Sequence, residues 1–409
     1  MNVLYLIHRY PPATGGSERF TQAMAQRLVA GGHRATVYTS NLLDIEGFWT
    51  RGGRTLAAGT ENDQGVVVRR FQPRVLPLQG IVSRVLGAAP WAPVGLALGA
   101  PGLLLPGLYG AVRRGGPYDL VHASAYPSLM YLGQVAARRS GARLVVMPCT
   151  HDNAEDDGFA APWSQAQRLA RIYRQADAVI ALTEREGNKV VASGISAERI
   201  HVTGAGIEPQ AALGADGRRF RQRCQVPPAS PVVTFLGHKT AGKGALCILD
   251  VSENMISAGS PAWFVLAGST TPDFTRRYKA LPSGIRKRVL NMELSEREKH
   301  DLLAASDMLL LPSRDDSFGI VLLEAWLHGK PVIGARAGGI PDVIEGGETG
   351  LLVPFGNADA LEQGITWLLE NSVAAAQMGA LGRERTLRRW TWDAVYDRVR
   401  TVYEQCLTD

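Results

Sequence analysis

Leu309–Ile333 reads LLLPSRDDSFGIVLLEAWLHGKPVI, and it packs a strand, an acidic loop, a helix and a second strand into one stretch. The apolar run Leu309-Leu310-Leu311 stops at Pro312, which has no N–H to give a ladder. Asp316 stands in the loop that follows, where a carboxylate can accept hydrogen bonds from sugar hydroxyls. A helix is expected to begin near Ser317 to Gly319 and to end at Gly329, with the next strand opening at Pro331. The amides of Phe318, Gly319 and Ile320 then lie at the amino end of that helix, where an anion such as a diphosphate gains from the dipole. Glu324 falls two turns on, among apolar neighbours, an expensive place for an unpaired carboxylate. A ligand diol would satisfy both of its oxygens. The alternatives are an N-cap for Asp316 and a surface or core-paired acid for Glu324.

The same alternation of apolar run and amphipathic helix extends in both directions. Val3–Ile7 reads as a buried strand, Pro11–Gly16 as a loop, and Glu18–Ala30 as a helix with Phe20, Met24 and Leu28 on one face. Ala35–Tyr38, Val66–Val68, Leu120-Val121, Leu144–Val146 and Ala178–Ala181 continue the series. After a polar, linker-like stretch, Ala215–Ser230, it restarts at Val232–Leu236, Trp263–Ala267, Met308–Leu311, Pro331–Ile333 and Leu351–Val353. Parallel strands joined by helices give an α/β chain of two doubly wound halves with a crevice between them. The expected boundaries are 1–212, 213–387, and a closing helix in 388–409 that carries Val395, Val399 and Val402 and packs back on the first half.

A length of 409 residues agrees with roughly two to three domains. The +6 charge is spread without a long basic run, and no zinc-finger or RNA-binding signature is present, so nucleic acid is not an expected partner. Cys149, Cys224, Cys247 and Cys406 form no paired motif and are expected as buried free thiols. Cys149-Thr150-His151 has no second pair to complete a zinc site. Residues 85–112 carry no charge, yet Pro90, Pro93, Pro101 and Pro106 would break a spanning helix, so a pair of short apolar helices is expected.

Two further loops carry chemistry. Gly15-Gly16 follows the first strand and opens a helix, which suits an anion. Gly237-His238-Lys239-Thr240-Ala241-Gly242-Lys243-Gly244 fits the frame of a P-loop, but Gly244 stands where magnesium needs Ser or Thr. Lys239 and Lys243 can still hold phosphate as point charges, without ATPase chemistry. Nicotinamide chemistry is disfavoured because Gly204-Ala205-Gly206 lacks the third glycine of its fingerprint.

Together these features resemble the retaining glycosyltransferases of the GT-B fold, family 4, and the resemblance covers essentially the whole chain. It implies two Rossmann-like domains facing a central cleft, with the acceptor on the first and a nucleotide sugar, UDP- or GDP-linked, on the second. The family's E-x7-E motif matches Asp316, which would contact the transferred sugar, and Glu324, which would hold the donor ribose. Asp316 replaces a glutamate, so its carboxylate sits about 1.5 Å further back. Lys243 matches the diphosphate lysine, and His238 stands at the usual arginine, with Lys239 expected to make up the charge. Gly15 and Gly16 would lie near the phosphates, backbone at Met292 to Leu294 would line the base, and His151 would face the reacting sugar. The resemblance thus assigns His151, Asp316 and Lys243 to catalysis. It implies no metal and no cofactor, a glycan, lipid-linked or small-molecule acceptor, and a cytoplasmic enzyme; the apolar run 85–112 either gives it a peripheral membrane contact or packs on the first domain. A catalytically weak nucleotide-binding protein, a nucleotide-sugar epimerase and a phosphorylase are the alternatives on the same fold.

Overall fold

The computed structural model describes residues 1–48, 53–74, 104–149, 163–314 and 316–408. Two compact units account for them: one runs through Ala205 and takes in Val395 onward, the other spans Gly206–Ala394.

The first unit is built on β1 (Asn2–Leu6), β2 (Arg34–Ser40), β3 (Gly59–Asp63), β4 (Val66–Phe71), β5 (Leu120–Ser124), β6 (Arg143–Met147), β7 (Ala178–Ala181) and β8 (Ile200–Val202), in the order β3-β4-β2-β1-β5-β6-β7-β8. Only the β3–β4 pair is antiparallel. β1 lies between β2 and β5, and Val3, Leu4, Tyr5 and Leu6 are all buried, as a central parallel strand with both faces covered requires. The helix Gly16–Ala30 buries Phe20, Met24 and Leu28, the face that the four-residue spacing marks out. The closing helix, Trp392–Thr408, buries Val395, Val399, Val402 and Tyr403. The Tyr403 hydroxyl meets Nδ1 of His122 inside this unit, and burial pushes the His122 imidazole down to about 3, so it stays neutral.

Of residues 85–112, those from 104 onward are described. They contribute one helix, Pro106–Arg114, which turns Leu108, Ala111 and Val112 into the core. That end of the apolar stretch is packing surface. No helix among the described residues is long and apolar enough to cross a membrane.

The second unit contains β9 (Val232–Leu236), β10 (Trp263–Ala267), β11 (Val289–Met292), β12 (Met308–Leu311), β13 (Val332–Ala335) and β14 (Gly350–Val353). Their order is β11-β10-β9-β12-β13-β14, all parallel. Beginning at β9, the chain winds outward to β11 and then returns to place β12 on the other flank of β9. The loops after β9 and β12 therefore leave the sheet side by side where the strand order reverses, the position at which such sheets bind ligands.

The stretch expected as a linker is instead partly helical. Asp216 caps Gly217–Cys224 through Arg218 N (2.9 Å), Phe220 anchors it in the core, and Arg219 pairs with the largely buried Asp301. One apolar anchor in eight residues leaves too little periodicity to read. The four cysteines carry no disulfide, but only Cys406 is buried; Cys149, Cys224 and Cys247 are half-buried.

Candidate functional site

The loops after β9 and β12 touch backbone to backbone. Gly244 has φ 74°, and a Cβ there would run into the Pro312 carbonyl, so both the conformation and the space call for glycine. This accounts for the residue that breaks the P-loop frame. Arg314 N donates to Gly242 O at 3.0 Å, a second tie between the loops. Gly339 N donates to Asp316 O at 2.7 Å, and a Cβ on Gly338, at φ 57°, would collide with the same carbonyl. Asp316 is thus braced by the loop after β13.

This bracing brings Lys243 and Asp316 together. The Lys243 ammonium lies 2.8 Å from Asp316 Oδ1, with side chains 24% and 18% exposed, so both remain open to a ligand from solvent. The helix that follows is Ile320–Leu327, with Gly319, a residue that has no side chain to cap with, as its N-cap at φ 85°. Asp316 is therefore not the cap. The first-turn amides run from Gly319 through Ile320, one residue later than the sequence suggested, while the Phe318 side chain is buried edge-on against Trp390. A helix amino end carries partial positive charge, which favours an anion.

Glu324 is 4% exposed on that helix, between Leu323 and Ala325, which are fully buried. Its Oε1 accepts from Lys299 Nζ at 2.7 Å. Lys299 belongs to the helix Glu296–Ala305, which Ser295 and Glu298 start with a reciprocal capping box. Breaking so buried a pair from one side costs about 3–5 kcal/mol, so each residue fixes the other. The core-paired alternative for Glu324 is thus realised. A carboxylate retains further acceptor positions beside one ammonium contact.

Lys239 does not face this site. Its side chain is fully buried, and its ammonium donates to Gly268 O and, at 3.0 Å, to Met292 O, over the ring of Phe274 at 5.6 Å. Burial pushes this ammonium down to about 8. It ties together the ends of β10 and β11 and is not a diphosphate ligand. Met292 O also accepts from Gly268 N at 2.9 Å, so that carbonyl is committed within the protein. Met292, Leu294 and His238 are half-buried.

Gly15 and Gly16 lie in the other unit, where the helix end holds an anion of the chain's own. The Glu18 carboxylate accepts its own backbone amide and Ser17 Oγ (2.9 Å), and it pairs with Arg9 at 2.6 Å and His8 Nε2 at 3.2 Å. A Cβ on Gly15 would collide with that carboxylate. Burial pushes Glu18 up, but His8, Arg9 and the amide outweigh it and leave the acid at about 2. Gly15 makes room for Glu18, and Gly16 is the first residue of the helix. His151 lies outside the described residues.

Lys299 and Gly338-Gly339 escaped the sequence reading. The only signal for Lys299 was indirect: an acid in an apolar helix demands a cation somewhere. No spacing rule says where.

Residues 15–206 match the glycosyl transferase 4-like domain, and residues 217–385 match the glycosyl transferases group 1. The chain is similar to the D-inositol 3-phosphate glycosyltransferase of Corynebacterium efficiens, at 29% identity over 396 residues, covering 86% of this chain and 89% of the relative. Its fold is that of Anabaena HepE solved with UDP and glucose (TM-score 0.75, 20% identity, 99% of each chain). Sucrose-phosphate synthase from Thermosynechococcus elongatus shares it too (TM-score 0.78, 18% identity, 100% of this chain and 99% of that one).

Proposed function

Because the chain belongs to the group 1 glycosyltransferases and has the GT-B fold, we propose that it draws its sugar from a nucleoside diphosphate donor and retains the configuration at the anomeric carbon. The observation that carries the reading is the Lys243–Asp316 pair at 2.8 Å beside a helix amino end whose N-cap is a glycine, where the strand order reverses. One ammonium has three donors, so Lys243 can keep Asp316 oriented while it meets the diphosphate.

In this reading the amides of Gly319 and Ile320 and the Lys243 ammonium hold the diphosphate, Asp316 accepts from a hydroxyl of the transferred sugar, and Glu324 grips the ribose. As the anomeric carbon–oxygen bond breaks, negative charge grows on the leaving phosphate, and fixed donors aimed there lower the barrier. The acceptor hydroxyl adds to the anomeric carbon on the face the phosphate leaves, and its proton passes to a phosphate oxygen. Lys243 and the helix amides supply the countercharge, so the scheme calls for no metal. His151 keeps the role the resemblance gives it, next to the reacting sugar. The N-terminal unit takes the acceptor, a hydroxyl of a glycan, a lipid-linked glycan or a small molecule. That HepE is solved with UDP and with UDP-glucose favours a UDP-sugar as the first donor to try.

Release of nucleoside diphosphate, measured across UDP-, GDP- and ADP-sugars with each acceptor class, tests the proposal. Turnover with one donor family and an α-linked product from an α-linked donor are expected. Thermal stabilisation by a nucleoside diphosphate with no turnover on any donor would leave a binding protein instead. No affinity for any nucleoside diphosphate would overturn the assignment of the site.

A further inference from the structure

Lys299 touches two acids of opposite character. Glu296, at 2.8 Å on its own helix, is 62% exposed, whereas Glu324, at 2.7 Å, is 5% exposed. Nothing in helix geometry forces a lysine inward when an exposed partner stands three residues away, since a surface pair keeps both ions hydrated. Yet the Lys299 side chain is only 13% exposed and reaches the buried carboxylate.

We propose that Lys299 is a positioning residue for donor recognition, holding the Glu324 carboxylate oriented for the diol of a ribose. The proposal rests on the reading of Glu324 as the ribose acid. The ammonium engages one of the two carboxylate oxygens, and an ionised carboxylate has about four acceptor sites. Lys299 itself needs no contact with the nucleotide.

A second tie makes the role separable from folding. Four residues beyond Glu324, on the same helix face, His328 brings Nε2 to 2.9 Å from Nδ1 of His300, the neighbour of Lys299. The helices Glu296–Ala305 and Ile320–Leu327 therefore remain joined when the lysine loses its charge.

The test uses the full-length protein, calorimetric titration with UDP, GDP and ADP, and then the 2′-deoxy and 3′-deoxy forms of whichever binds tightest. Lys299→Met is expected to weaken the ribonucleotide about tenfold, the order of one charge-assisted hydrogen bond, while the deoxy form that lacks the gripped hydroxyl binds as before. The preference for ribose collapses, and Lys299→Arg restores part of it. Equal weakening of ribo and deoxy forms would mark a merely structural lysine and overturn the proposal, as would an unchanged preference. Glu324→Gln separates the two failures. If it abolishes the preference while Lys299→Met leaves it, only the role of Lys299 falls. If Glu324→Gln also leaves the preference intact, the ribose assignment itself is wrong.

Discussion

The two units repeat one device, a loop and a helix amino end at the carboxyl edge of a parallel sheet, and finish it in opposite ways. After β1, Glu18 folds over its own helix end and is held by His8 and Arg9, so the partial positive charge there is spent within the protein. After β12, the helix opens on a glycine N-cap, and an ammonium paired with Asp316 stands close by. Glycines serve both ends. Gly15 makes room for a side chain, while Gly244 lets one main chain lie against another. A glycine-rich strand–loop–helix is thus a statement about space; whether the space is filled from inside decides whether it binds.

Four substitutions probe that contrast. Lys243→Ala should cost the most, about 100- to 1,000-fold in turnover, the scale for removing one donor aimed at developing charge, with only a small change in melting temperature. Full retention of nucleoside diphosphate release would remove the lysine from the chemistry. At the closed end the loss should be stability. Glu18 is held at about 2, below its ordinary 4.5, so its contribution is complete above pH 4.5 and disappears as pH falls from 4.5 through 2. That shift corresponds to about 3 kcal/mol. In urea unfolding, Glu18→Gln should lie below the unaltered protein by that amount at pH 7, and the gap should close towards pH 2. A gap that widened in acid would contradict the pairing.

Gly244→Ala combines strain at φ 74° with a collision at Pro312, and should lower stability by about 1–3 kcal/mol, with turnover falling because Lys243 shifts. A melting curve unchanged by this substitution would mean that the two loops are not in contact. Smallest is Glu296→Ala, which removes the exposed partner of Lys299 and should change stability by less than about 1 kcal/mol, with nucleotide affinity unaltered. A marked loss of affinity would mean that the exposed acid, not the buried one, governs the lysine.

The legibility of the sequence followed burial. Val232–Leu236 and Met308–Leu311, covered on both faces, announce themselves as apolar runs, and their predicted spans match the structure residue for residue. The strands missed were β3, β8 and β11, each at a sheet edge. Gly59–Asp63 reads GTEND and is almost wholly exposed, so it has no alternation to detect. Within the site, Lys243 and Asp316 could be named because a charged group stood in a loop after a strand, and Glu324 because an acid stood in an apolar helix. Lys239 was given the wrong task for the converse reason. Lysines are mostly exposed, and no local pattern reveals that the carbonyls of Gly268 and Met292 converge on its ammonium. Lys299 was missed because its meaning lies 25 residues away, on a different helix.

The sealed ammonium of Lys239 gives the loop a chemical signature. Its lowered affinity for protons would make it an unusually ready nucleophile in mild alkali, yet acylating reagents cannot reach an amine that is fully buried. Lys243, four positions along, is open. Mass-spectrometric footprinting of the folded chain should therefore mark one lysine and spare the other, and a bound nucleotide would register as shielding of the marked one alone.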